Sequence, residues 1–339
     1  MRVVEVASTF NFSDLRPVTR RDPPQPGVGQ ALVRMKAVAL NFRDLMVATG
    51  HDRWRPPAGR IPGSDGVGVV QSVGPGTERI KVGQRVMTTI LPRWISGPLT
   101  NQKREGGLGG PAADGVMAEL VLLDAAGLVA APEYLTHIEA STLPTAALTA
   151  WHALTRAGSL RPDATVLVEG TGGVSLFALQ IAAAAGARVI ATSSSDAKLK
   201  RLSEVGAADT INYLQRPTWS HDVLALTQGR GVQHAIDIGG ATTLNQSISS
   251  VGMEGVVSIV GLVGGLNAEI NLAEVFQKNL RLDGIETGSR SMLEDLLTWL
   301  DAKRLHPIID KVFAFEEAAA AFRHLQAGGH MGKVCLTVN

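Results

Sequence analysis

Between residues 165 and 286, short runs of aliphatic and β-branched residues alternate with longer stretches of mixed apolar and polar positions. The apolar runs predict strands at 165–169, 188–193, 209–212, 234–238, 255–261 and 280–286, and the stretches between them predict helices near 173–185, 196–205, 219–227 and 241–250. Strict alternation of that kind implies a parallel, doubly wound sheet of six strands. The first 125 residues follow another rhythm. Ala31–Leu40, Gly66–Val73, Arg85–Ile90 and Met117–Leu123 are short β-prone runs separated by Gly and Pro clusters, and Met1–Ala7 reads as an edge strand interrupted by Glu5. Arg93–Asp114 is the longest segment without periodicity, and long loops of this kind are often functional. His137–Ala157 reads as helix, with a break expected at Pro144. The tail adds an amphipathic helix around Met292–Ala302, a second helical stretch at Phe315–Ala327 and a last strand at Lys333–Val338. There is no internal repeat and no low-complexity segment.

Composition narrows the class. A chain of 339 residues suggests two domains, and 45% hydrophobic with 19% charged residues excludes a disordered protein. Net charge is +1, and the basic residues are scattered apart from Lys198, Lys200 and Arg201, so nothing points to nucleic acid. The single cysteine, Cys335, rules out an internal disulfide framework and a thiolate zinc cluster, and fits a reducing cytoplasm. No apolar run approaches membrane-spanning length. A soluble, cytoplasmic protein is expected.

Candidate chemistry begins at Val166-Leu-Val-Glu-Gly170-Thr-Gly172-Gly173-Val-Ser175, where a strand runs into a glycine cluster that opens a helix ending near Gly186. Strand, glycine turn, helix and strand in about thirty residues is the unit that binds dinucleotides. Gly170 permits the tight turn, and Gly172 lets backbone N–H groups approach a pyrophosphate, whose charge the helix N-terminus stabilises. Ser175 stands where a third glycine usually falls and is small enough for close helix–strand packing. The cofactor-binding residues placed here are Gly170, Thr171, Gly172, Gly173 and Val174, with Gly239 and Gly261.

Several further segments occur in order: Ala39-Leu-Asn-Phe-Arg-Asp44, Pro62-Gly-Ser-Asp-Gly-Val-Gly68, Val73-Gly-Pro-Gly76, Val82-Gly-Gln-Arg-Val86, Gly206-Ala-Ala-Asp209, Ile211-Asn-Tyr213 and Gly332-Lys-Val334. Together with the glycine turn they resemble the medium-chain dehydrogenase/reductase superfamily, in its zinc-free branch of quinone oxidoreductases and alcohol dehydrogenase-like enzymes, over nearly the whole chain. The resemblance implies a GroES-like β-barrel catalytic domain at 1–130, a Rossmann NADP-binding domain at 131–288, and a return of 289–339 to the catalytic domain. It also implies an active site in the cleft between the domains, and a homodimer formed through the sheet edge around 255–261 and 280–286.

Zinc-dependent members of that family hold their metal with Cys and His or carboxylate variants. The matching positions here are Asn41, Ser64 and Thr145, whose amide and hydroxyl groups are poor zinc ligands. No histidine spacing suggests a metal, and the expectation is that none binds. His51, beside the predicted cleft loop, is the histidine with most functional interest; the other seven read as surface or packing residues.

For the cofactor, an NAD-binding fold would place a carboxylate about twenty residues after the glycine turn. The run Ser193-Ser194-Ser195 stands there instead, and Asp196 reads as the N-cap of the next helix. By resemblance to NADPH-dependent quinone oxidoreductases, Ser194, Lys198 and Tyr213 surround the 2′-phosphate, so NADP(H) is expected. Lys198, Lys200 and Arg201 as a solvated helix face, with Tyr213 packed at a strand end, is the alternative.

Without zinc, a quinone or an α,β-unsaturated carbonyl is an easier hydride acceptor than an isolated ketone, because charge delocalises onto a distant oxygen. Asn41 is the candidate for orienting nicotinamide or substrate, and Ser64 and Thr145 are candidates for hydrogen bonds to a substrate oxygen, or else small residues filling the metal space. Met46 stands where some relatives carry tyrosine, so no phenolic proton donor is evident. Asp44 and Asp65 read as loop supports, with a role as bases the alternative. Trp54, Arg55, Trp94 and Ile95 are expected to rim the substrate site, or to cover the barrel or a subunit contact. The reading is a reductase of quinones or activated alkenes and carbonyls. Alternatives are a metal-free alcohol dehydrogenase-like enzyme acting on an alcohol or aldehyde, an enoyl thioester reductase, and an NADPH-binding protein with little turnover.

Overall fold

Six strands, Thr165–Glu169, Arg188–Ser193, Asp209–Asn212, Val232–Asp237, Val251–Ile259 and Arg281–Gly284, lie parallel. Their spatial order is third, second, first, fourth, fifth, sixth. Val166, Leu167, Val168, Val189, Ile190 and Ala191 are fully buried. That continuous apolar run, in place of alternation, is what a sheet covered on both faces requires. The computed structural model describes residues 1–338. They divide into two units, one of 149–286 carrying this sheet, the other of 1–148 together with the chain from Thr287 onward.

In the sheet unit, helix Gly173–Ala184 follows the first strand and buries Leu176, Phe177, Leu179 and Ile181. Each such side chain contributes roughly 1.5–3 kcal/mol on leaving water. The fourth and fifth strands start earlier than expected, at Val232 and Val251, and the sixth is confined to Arg281–Gly284. A register slip between Val232 and His234 separates the early pairing from the main ladder. The helix expected at 241–250 begins as a single tight turn, Gly240–Thr242, before Leu244–Ser250.

The other unit is built on strand Gln30–Ala39, which pairs antiparallel with Asp65–Val73, Leu120–Asp124 and Lys333–Thr337. Arg85–Met87 and Val129–Ala130 extend the sheet on one side, and Ile309–Ala314 joins Lys333–Thr337 in parallel on the other. Its core gathers Val33, Met35, Val38, Leu40, Val47, Val70, Val116 and Met117 with Phe313, Phe315 and Phe322 from the tail. Strand Arg2–Val4 pairs with Pro17–Thr19, as an edge element should.

Residues 131–148 belong with this unit, which moves the boundary expected at 131 to Leu148. The cause is packing: Arg85 Nη2 donates to the Leu135 carbonyl at 2.7 Å, and the Leu148 side chain lies against Gly288. The predicted helix 137–157 is broken at Pro144 as expected. His137–Ser141 and Leu148–Ala157 are helical, and Leu143–Ala147 between them forms a widened turn of i→i+5 type.

Candidate active site

Strand register assembles a polar centre inside the first unit. Ala39 pairs with Asp65 on one side and with Cys335 on the other. Asn41 lies two residues beyond Ala39, and Lys333 lies two residues before Cys335 on an antiparallel neighbour, so the two meet. Lys333 Nζ donates to Asn41 Oδ1 at 2.5 Å and to the Leu40 carbonyl at 2.6 Å. Its side chain is buried, so these acceptors replace the water an ammonium would otherwise hold. Because the amide oxygen is taken, Asn41 presents its Nδ2, which donates to Ser64 Oγ at 3.4 Å.

Asp65 is the hub. It is fully buried and opens strand Asp65–Val73, where Gly68 is required because a Cβ there would stand 2.4 Å from the Arg34 carbonyl oxygen. The widened turn frees the Thr145 N–H from helical bonding, and it donates to Asp65 Oδ2 at 3.1 Å. The Thr145 hydroxyl lies 2.6 Å from Asp65 Oδ1, with the Ser64 hydroxyl more distant at 3.4 Å. Burial pushes the Asp65 carboxyl above the usual range, against the pull of the Lys333 charge and the bonds from Asn41 and Thr145. Thr88 braces the strand entry, donating to the Ser64 carbonyl and accepting from the Gly66 N–H.

Asn41, Ser64 and Thr145 are thus brought together, but unequally. Asn41 and Thr145 are half-buried, whereas Ser64 is fully enclosed behind them. The donor set does not fit zinc: the one amide oxygen is held by an ammonium, and both hydroxyls face a carboxylate. Among the described residues no group of three or more His, Cys, Asp or Glu side chains is placed to hold a metal ion.

Asp44 supports the loop, accepting the Asn41 N–H at 2.8 Å at the start of helix Phe42–Ala48. Its other oxygen has no partner, and burial pushes the group up to about 6. Sequence reasoning overlooked Lys333, although a lysine inside the apolar run Lys333–Val338 is a signal in itself, since buried cations require partners. It also undervalued Asp65.

Of the two readings of the aromatic residues, rim or packed cover, Trp94 takes the second. Trp94 is 3% exposed, packs with Ile90 and Leu91, and donates through Nε1 to the Gly97 carbonyl at 2.8 Å. Trp54 is half-buried against the core, with the Arg53 guanidinium 4.5 Å from its ring centre and exposed His51 stacked at 6.3 Å. Arg55 lies over Phe10. Of the remaining histidines, His234 is enclosed between the Ser159 and Ser258 hydroxyls, and His306 and His324 bond Glu139 and Asp310, which are packing roles.

In the sheet unit the glycine turn has the geometry its residues require. Gly170 adopts φ +72°, its N–H donates to the Thr192 carbonyl at 2.9 Å, and Gly172 caps helix Gly173–Ala184 with open space in front of it. Thr171 is buried, while Gly173 and Val174 are half-buried at the helix start. The Ser175 hydroxyl donates to the Glu169 carbonyl at 2.6 Å, fixing helix to strand. Gly261 is obligatory because a Cβ would stand 2.1 Å from the Ile238 carbonyl oxygen; Gly239 accepts the Gly264 N–H at 2.7 Å. The loops after the fourth and fifth strands are therefore joined beside the turn.

Asn212 pairs with Ser193, which sets Tyr213 next to Ser194 at the ends of neighbouring strands. Ser194 is exposed, Tyr213 is 38% exposed, and Lys198 lies half-buried one turn into helix Asp196–Val205. The helix cap is Ser195 in place of the expected Asp196, whose carboxylate turns sideways to accept from Asn212 Nδ2 and Gln215 Nε2.

A free helix N-terminus on a glycine turn, at the carboxyl ends of a doubly wound sheet, fits the pyrophosphate of a dinucleotide. With a separate buried polar centre, it defines the class of nicotinamide-dependent oxidoreductases. Residues 27–133 match the alcohol dehydrogenase GroES-like domain, and residues 173–302 match the zinc-binding dehydrogenase domain. The chain belongs to the medium-chain dehydrogenase/reductase superfamily. It is 38% identical to a zinc-type alcohol dehydrogenase-like protein of Schizosaccharomyces pombe, over 100% of this chain and 99% of that protein. Among solved structures, a putative alcohol dehydrogenase of Sinorhizobium meliloti superposes with a TM-score of 0.92 at 39% identity, covering 99% of this chain and 98% of that one. A second, described as an NAD-dependent alcohol dehydrogenase, gives 0.90 at 33% identity with both chains fully covered.

Proposed function

We propose that the protein is a zinc-independent, NADPH-dependent reductase of quinones or activated alkenes and carbonyls, working in the cytoplasm as a homodimer. The observation that carries the reading is the centre itself. Asn41 and Thr145 are half-buried hydrogen-bonding groups backed by Ser64, Asp65 and Lys333, with an amide and hydroxyls where a metal would need thiolate, imidazole or carboxylate.

When bound, the nicotinamide supplies the hydride. The chain's own residues do the rest. Lys333 fixes the Asn41 amide, and half-buried Asn41 and Thr145 orient a bound oxygen by hydrogen bonding. An acceptor that spreads negative charge along a conjugated system needs no stronger electrophile than these donors.

Exposed Ser194, with Lys198 and Tyr213 beside it, supports NADPH, because hydroxyl and ammonium groups hold a 2′-phosphate that a carboxylate repels. NAD(H) is the second reading, favoured by the exposed Asp196 at the same helix start and by the description of the NAD-dependent relative. Alcohols and aldehydes are the corresponding second substrate class, favoured by the two alcohol dehydrogenase-like proteins of highest identity reported above. The edge strand Arg281–Gly284, with exposed Val263, Leu272 and Phe276 nearby in sequence, supports the dimer.

The experiment is titration with NADPH and NADH, followed by a turnover screen of quinones, enones and aldehydes with and without added zinc. Tighter NADPH binding and zinc-independent reduction of a quinone or enone are expected. Activity that requires zinc, or equal affinity for the two cofactors, defeats the corresponding part of the proposal.

A further inference from the structure

We propose that Asp65 and Thr145 form a proton relay, in which Asp65 Oδ1 holds the proton and the Thr145 hydroxyl delivers it to the oxygen of a bound quinone or carbonyl. This rests on the reading of the centre as a reductase site. It supplies the proton donor that the sequence lacks, since Met46 replaces a tyrosine and the only tyrosines are Tyr134 and Tyr213.

Geometry distinguishes the two carboxylate oxygens. Oδ2 accepts the Thr145 backbone N–H at 3.1 Å, which leaves Oδ1 as the position for a proton. Oδ1 lies 2.6 Å from Thr145 Oγ1, short enough for an O–H···O bond to run in either direction. Asp65 is fully buried and Thr145 only half-buried, so the hydroxyl is the accessible end of the pair. Ser64 Oγ, enclosed and 3.4 Å from Oδ1, offers no comparable route.

Two states follow. With Asp65 protonated, Oδ1–H donates to Thr145 Oγ1, and the threonine hydrogen is free to point at a bound oxygen. With Asp65 ionised, Thr145 donates inward and presents only lone pairs. Passing from the first state to the second breaks the Thr145 O–H bond as a new O–H bond forms on the substrate. The Asp65 proton replaces it on Thr145, and a carboxylate remains. The step moves one proton and no electrons; the reductant is a nicotinamide dinucleotide, which this step does not involve.

The charges facing Asp65 suit this task. The Lys333 ammonium, anchored on Leu40 and Asn41, offsets the negative charge left behind. Asp44, from helix Phe42–Ala48, opposes it. Cys335, on the Lys333 strand, also faces Asp65, and burial pushes its thiol up to about 12, so it stays neutral. Burial favours the protonated form of Asp65, and Lys333 limits the cost of its ionisation.

Infrared spectroscopy of the cofactor-free protein between about pH 4 and 9 reads the carboxyl directly. Asp44 and Glu169 contribute protonated-carboxyl bands of their own in this range, so the Asp65 band is read as the difference between the wild type and Asp65→Asn. The expected result is a difference band that disappears as pH rises. The band should shift in Thr145→Val and return to its original position in Thr145→Ser. In turnover with a reducible quinone or enone, Thr145→Val should lower kcat by about 10²–10³-fold with cofactor affinity intact, and Thr145→Ser should recover most of it. An Asp65 that stays ionised throughout the range, or a Thr145→Val protein with unchanged band and kcat, overturns the relay. If Asp65→Asn does not fold, the Val/Ser pair at Thr145 decides the matter. If no substrate is reduced, the reductase reading fails, and the carboxyl band still tests the relay.

Discussion

Glu169, the last residue of the first parallel strand, immediately precedes the glycine turn and is 4% exposed. Ser247 Oγ bonds both Glu169 Oε1 and Asp237 Oδ2, the latter at 2.8 Å, while the Ile238 N–H donates to Glu169 Oε2 at 3.3 Å. Asp237 also accepts from the Gly240 N–H and the Thr243 hydroxyl. A single hydroxyl hydrogen cannot serve two carboxylates. The consistent arrangement has a protonated Glu169 donating to Ser247 and Ser247 donating to an ionised Asp237. Burial first, and the Asp237 charge second, push Glu169 up to about 8.

The folded pKa lies above the unfolded value of 4.5. The contribution is therefore fully present below pH 4.5 and lost as pH rises from there towards 8, because only the unfolded chain releases the proton in that window. At 1.36 kcal/mol per pKa unit the interval amounts to about 5 kcal/mol at most. Glu169→Gln cannot ionise in either state, yet its amide can donate to Ser247 while its oxygen accepts the Ile238 N–H. Urea unfolding of both proteins at about pH 5, 6.5 and 8 should show near-equal stability at the acid end and a variant increasingly ahead as pH rises. A stability difference that does not change with pH would refute the protonated-glutamate arrangement.

Other consequences are open to measurement. Lys333→Met leaves the Leu40 carbonyl and Asn41 Oδ1 without their donor and should cost about 1–3 kcal/mol by urea titration, with an upward shift of the Asp65 carboxyl; an Asp65 carboxyl that does not move would contradict a buried ammonium beside it. His234, enclosed between Ser159 and Ser258, is held down to about 3 by burial. It should destabilise the fold as pH falls below 6.5, and His234→Gln should flatten that acid limb in thermal unfolding. Ser194→Asp places a carboxylate where a 2′-phosphate would bind and should weaken NADPH by about 1–3 kcal/mol relative to NADH; unchanged relative affinities would move the phosphate site elsewhere. Asn41→Ala should lower kcat more than Ser64→Ala, since Asn41 is accessible and Ser64 enclosed; the reverse order in steady-state kinetics would displace Asn41 from the centre.

Local pattern determined most of the framework. The strands 165–169 and 188–193 were legible to the residue, because a sheet covered on both faces demands apolar runs and each run ends at glycine or polar residues; the edge strand 209–212 and the helix 196–205 were placed to the residue by the alternation of elements around them. The break at Pro144 was legible because the ring removes a helical donor. The glycine turn likewise carries its own reason in its residues, and Asn41, Ser64 and Thr145 could be singled out as candidates only through the family resemblance, as the positions matching its zinc ligands. What the sequence could not show is how those side chains are used. Trp94 was open to two readings, a rim of the site or a packed side chain, and only the folded loop decides for packing against Ile90 and Leu91. Asp65 and Thr145 stand eighty positions apart, and Lys333 and Asn41 nearly three hundred. Only strand register and the widened turn bring them within hydrogen-bonding reach. Charge state is decided at that same level, because desolvation and the direction of each hydrogen bond are properties of the assembled interior and have no counterpart in the linear chain.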